Sequence, residues 1–163
     1  MRGNGINRVI AGLVMSASLA LTACGGETEV VEAPVEGVID GISIENARMV
    51  LAPVEGNPAA IYFDFAYEGD RAFSLGRVQV EGAESAVIHQ FREYNLQMEM
   101  QEAVPISVSN GTELEFKPGD LHVMAMEPSA DLQPGGSTTV TLKVSGGDTH
   151  EFEAEIRAAG DER

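Results

Sequence analysis

The sequence predicts an all-β sandwich on three observations. Apolar and polar residues alternate with a period of two along several short segments, turn residues recur at short intervals, and no long amphipathic helical segment follows the apolar run near the N-terminus. In chain order, Ile42-Ser43-Ile44 and Met49-Val50-Leu51 are the first strand-like stretches. Ala59-Ala60-Ile61-Tyr62-Phe63-Asp64-Phe65 then alternates toward a turn at Glu68-Gly69-Asp70. Further turn signals stand at Asn110-Gly111, Lys117-Pro118-Gly119-Asp120, Gln133-Pro134-Gly135-Gly136 and Gly146-Gly147-Asp148. The last two strands are the clearest. Val140, Leu142 and Val144 alternate with Thr139, Thr141 and Lys143, and Phe152, Ala154 and Ile156 alternate with Glu151, Glu153 and Glu155. One apolar and one polar face is the pattern of a half-buried antiparallel strand. The folded domain is expected over 38–158 with a short tail at 159–163, and no internal repeat is visible.

The segment before the domain reads differently. Arg2 and Arg8 precede a dozen mainly apolar residues, Val9 to Ala20, too few for a permanent membrane span and suited to a secretory signal. Leu21-Thr22-Ala23-Cys24 follows and resembles a bacterial lipobox, which predicts a signal over 1–23 and a lipid-modified Cys24 at the mature N-terminus. Ser18-Leu19-Ala20 offers an ordinary cleavage site as the alternative, but Cys24 is the chain's single cysteine, and an exported thiol with no disulfide partner favours lipidation. Residues 24–37 are acidic and punctuated by Gly and Pro, as in a flexible tether. Removing 1–23 takes away two arginines and no acid, so the formal net charge moves from -16 to -18. Nucleic acid and anionic lipid surfaces are not expected as partners, because both require a basic face. A lipid anchor is the only membrane attachment expected, in a bacterial envelope and facing the periplasm.

Four residues in the second half carry the chemistry: His89, Met100, His122 and Met124. Two imidazoles and two thioethers form a soft donor set that suits Cu(I) better than any hard cation. On extended backbone His122 and Met124 share a face. Met98 and Met126, two residues from Met100 and Met124, share it too and are expected as hydrophobic shell or substitute ligands. His150 falls outside the set and is expected to be a solvated residue at a strand start. With Cys24 assigned to the anchor, the domain has no thiolate for a metal and no His2Cys set for a blue-copper centre. There is no phosphate loop, nucleophile elbow, CxxC or HExxH motif, so no enzyme activity is expected.

The run Ala86-Val87-Ile88-His89, the Met98-Glu99-Met100 pair and the stretch from Leu114 to Met126 resemble the periplasmic copper chaperone family written PCu(A)C. Its His-x10-Met-x21-His-x-Met pattern is matched in every spacing, and the likeness runs from about Ile42 to Ile156. Some flanking positions depart from the family: Gln90 follows the first His where an acid or Met is common, and Glu99 and Gln101 stand where basic residues often do. The resemblance implies a cupredoxin-like Greek-key sandwich that binds one Cu(I) as a monomer. It further implies delivery toward the CuA centre of cytochrome c oxidase, through subunit II or a Sco-type thiol protein. An envelope copper store and a sandwich lipoprotein without metal function are the competing readings.

Overall fold

The computed structural model describes residues 39–103 and 105–161; the expected signal, Cys24 and the tether lie outside the described residues. Ten strands and no helix occur among the described residues: β1 (Ile42–Val50), β2 (Ala59–Tyr67), β3 (Phe73–Val80), β4 (Ala83–Tyr94), β5 (Gln97–Glu102), β6 (Ile106–Val108), β7 (Thr112–Phe116), β8 (His122–Pro128), β9 (Ser137–Val144) and β10 (Thr149–Arg157). Their lateral order is β5-β4-β8-β2-β1-β10-β9-β3-β6, with β7 also beside β2. A further pairing of β3 with β4, Val78 opposite Ala86, joins distant parts of this path and folds the sheet on itself. The result is the sandwich that the alternation predicts, with neighbours distant in sequence such as β4–β8 and β2–β8. Among the described pairings β1–β10 is parallel and the others are antiparallel.

The core follows the period-two pattern. Ile61, Phe63, Phe65 and Tyr67 point inward from β2, Val140, Leu142 and Val144 from β9, and Ala154 and Ile156 from β10. Phe63 stacks on Phe116 at 4.0 Å between ring centroids and meets Phe152 at 4.9 Å. Each such ring contributes about 1.5–3 kcal/mol by burial. His150 differs from expectation. It is the second residue of β10, in phase with Phe152, Ala154 and Ile156, and it is buried at 5% exposure. The backbone N–H of Ile39 donates to its Nδ1 at 3.1 Å, which satisfies the buried ring and ties the start of the domain to β10.

One irregularity prepares the site. β7 and β8 run along the same edge of β2, with Phe116 opposite Phe63 and Val123 opposite Ile61. While β2 advances from Phe63 to Ile61, two residues, the facing chain advances from Phe116 to Val123, seven residues. The surplus is spent in the turn that Lys117-Pro118-Gly119-Asp120 signals. It is closed by Lys117 N–H to Leu121 O at 2.8 Å and Asp120 N–H to Lys117 O at 3.2 Å, and Gly119 takes the left-handed φ of 80° that a side chain would resist.

Candidate metal centre

Antiparallel pairing sends directly opposed residues to the same side of a sheet. On β4–β8, His89 opposes His122, Val87 opposes Met124 and Ser85 opposes Met126. On β4–β5, His89 opposes Glu102, Phe91 opposes Met100 and Glu93 opposes Met98. The two histidines and four methionines singled out in the sequence therefore share one face of β5-β4-β8. Val123 and Ala125, out of phase with them, are wholly buried on the core side. The histidines form one rung. Met100 lies a rung to one side and Met124 a rung to the other, each about 6.8 Å along the strands.

The two imidazoles are held differently. His122 is 4% exposed, the Phe91 ring stacks against it at 5.7 Å and 28°, and Tyr62 lies at 6.5 Å. Its Nδ1 is 2.7 Å from the backbone carbonyl of Asp120, so the proton sits on Nδ1 and Nε2 presents its lone pair. The turn before β8 thus selects the tautomer as well as the position. His89 is half-buried, its ring edge-on to His122 at 6.0 Å between centroids. Its Nδ1 is buried without a hydrogen-bond partner, which is costly unless something else satisfies it. Burial first, then the neighbouring His122, push the His89 pKa down, while Glu102 opposes the shift. Both effects favour the neutral ring that can donate a lone pair.

This donor set fits a soft ion. Among the described residues no three His, Cys, Asp or Glu side chains gather closely enough to hold a metal, and the side chains in phase with the histidine pair include the thioethers of Met100 and Met124. Met100 is 46% exposed and Met124 half-buried. Met98 and Met126, expected as hydrophobic shell, are instead 62% and 36% exposed, because β5 is an edge strand and Met126 lies near the end of β8. Sequence reasoning missed Phe91, Tyr62, Glu102 and the Asp120 carbonyl. Phe91 was within reach, being in phase with Val87 and His89; a backbone carbonyl leaves no signature in residue type.

The fold and this His/Met face define a domain of the PCuAC class. The copper-bound PCuAC domain of PmoF2 superposes with a TM-score of 0.58 at 22% identity, over 76% of this chain and 98% of that one. The apo PCuAC domain of PmoF1 does so with a TM-score of 0.58 at 27% identity, over 72% and 94%. The Cu(I) form of DR1885 from Deinococcus radiodurans gives 0.57 at 19% identity, over 77% and 84%. Residues 42–156 match the family model LpqE-like, described as "Putative lipoprotein LpqE-like", and the chain belongs to that family. The resemblance drawn from the His-x10-Met-x21-His-x-Met spacing is upheld by the family and by these structures. No curated protein matches the sequence.

Proposed function

We propose that this chain is a copper carrier of the bacterial envelope, anchored through a lipidated Cys24, that holds one Cu(I) on His89, Met100, His122 and Met124 and hands it to another protein. The observation that carries this reading is the cross-strand pair His89–His122. One ring nitrogen there is unpartnered in a buried position, the other ring's tautomer is set by Asp120, and thioethers flank the pair. The copper-bound PmoF2 domain and Cu(I)-DR1885 share the fold and support the choice of ion. The family description supports the lipoprotein anchor.

Such a site binds and releases without a covalent step, and the protein is not an enzyme. His122, wedged beside Phe91 and fixed by Asp120, is the stationary ligand. Met100, on an exposed edge strand, is the ligand that an incoming donor reaches first. Replacing one soft ligand by another keeps the ion coordinated throughout the exchange, which suits delivery better than storage. The proposed recipient is the CuA centre of cytochrome c oxidase, reached through subunit II or a Sco-type thiol protein, with this chain acting as a monomer in the periplasm. An anaerobic titration of the full chain with Cu(I) against a chromophoric chelator tests the binding. One Cu(I) per chain, lost in a His89→Ala/His122→Ala double variant, is expected; no retention by the wild type removes the reading. Deleting the protein tests delivery. Impaired oxidase assembly at scarce copper is expected, and sensitivity to excess copper alone would make it a store.

A further inference from the structure

The described residues leave six large apolar side chains exposed, and four of them, Tyr94, Leu96, Met98 and Met100, stand on the β4–β5 hairpin, whereas Met126 lies opposite Ser85 toward the other end of β4. Leu96 is 91% exposed at the hairpin tip. The two-residue loop Asn95-Leu96 has positive φ at both positions, 50° and 63°. A turn of that kind favours glycine at its second position. Here a leucine is held in a left-handed conformation with its side chain in water, so both backbone and solvation disfavour it.

Acids outnumber bases around this apolar strip. The hairpin, residues 89–102, carries three acids, Glu93, Glu99 and Glu102, against one base, Arg92, which stands opposite Glu99. Glu93 and Glu102 lie on the metal-site face, opposite Met98 and His89. A second copy of the chain would bring acid against acid, and an anionic membrane would be repelled in the same way.

We infer that the β4–β5 hairpin is the docking surface for the copper-exchanging partner, and that this partner presents an apolar centre rimmed by lysine or arginine. The inference rests on the carrier reading for the partner's role, but the surface can be tested without copper.

Two synthetic peptides serve as probes, identical in a Leu-Phe-Met centre and differing in flanks of four lysines or four glutamates. Their binding to the metal-free full chain is followed by fluorescence anisotropy at rising salt. The lysine peptide should bind about tenfold more tightly at low ionic strength and lose most of that advantage near 0.5 M salt. Glu93→Gln/Glu99→Gln/Glu102→Gln should remove most of the preference, whereas the remote exposed set Glu45→Gln/Glu113→Gln/Glu151→Gln should remove little. Leu96→Asn, which suits the left-handed turn and keeps the charge, should weaken binding about threefold or more with no loss of fold stability. Equal effects of the two glutamine sets, or no effect of Leu96→Asn, would overturn the assignment. So would tighter binding to phosphatidylcholine vesicles than to the lysine peptide, or dimerisation lost in Leu96→Asn. Failure of Cu(I) retention with these binding results intact would remove the carrier reading and leave the docking surface standing.

Discussion

Met100 and Met124 approach the histidine pair from opposite rungs, and they differ from Met98 and Met126 by that placement rather than by chemistry. Met→Leu preserves most of the side-chain volume and removes the sulfur, with a stability cost under about 1.5 kcal/mol. Met100→Leu and Met124→Leu are therefore expected to weaken Cu(I) retention sharply in chelator competition, and Met98→Leu and Met126→Leu much less. Equal losses in all four would refute the ligand assignment. Phe91 acts through His122, whose ring it stacks against. An aromatic contact of about 0.5–1.5 kcal/mol corresponds to roughly twofold to tenfold in affinity. Phe91→Ala should lower Cu(I) affinity by that factor and Phe91→Tyr should restore it; a Phe91→Leu variant that restored it equally would show that volume suffices. The four proposed ligand positions stand out in the sequence because their residue types are uncommon and their spacing matches a known pattern. The unequal holding of the two histidines was not, since it depends on a carbonyl and a ring brought up by the fold.

β2 and β5 mark the two extremes among the strands. β2 is flanked on both edges and carries Ile61, Phe63 and Phe65 into the core, whereas every residue of β5 is exposed. Phe63→Ala should cost about 3–5 kcal/mol, read as a lower urea midpoint with an unchanged slope. Met98→Ala should stay within about 0.5 kcal/mol, and the amides of β5 should exchange with deuterium well before those of β2. If Met98→Ala destabilised as much as Phe63→Ala, β5 would belong to the core rather than to the edge. The alternation that marks β9 and β10 made them plain in the sequence. The β4–β5 hairpin went unread because Asn95-Leu96 lacks the glycine that signals such a turn.

Across the whole molecule, the ring of His150 links the first described residues to β10 through Ile39. Burial pushes its pKa down from the usual 6.5. The unfolded chain therefore binds the proton more readily than the folded one, and stability must fall as protons are added. His150 contributes fully above about pH 6.5, its contribution declines as pH drops from there through the depressed folded value, and the decline ends below that. Burial and the neighbouring His122 shift His89 in the same direction and add to the slope. Urea midpoints between pH 7.5 and 5 should fall with pH, and more shallowly in His150→Gln. An unchanged slope in that variant would place the effect elsewhere. In the copper-loaded protein, retention should be steady near neutrality and weaken in acid, because protons compete for the imidazoles and not for the thioethers.

Composition and periodicity were sufficient by themselves for the all-β class and the inward phase of β2, β9 and β10, while the proposed His/Met set came from residue type and the spacing of a known family pattern. Each depends on side-chain identity at fixed intervals along an extended chain, and a two-residue period determines facing wherever a strand forms. Only the tertiary structure decided what those residues do together. It set His89 against His122 by the register of β4 on β8 and used the five surplus residues between β7 and β8 to bring Asp120 beneath the imidazole. It also buried His150, which the strand-start position alone suggested was in water. Register, tautomer and burial arise between segments far apart in the chain, where local pattern has no purchase and close packing has the final say.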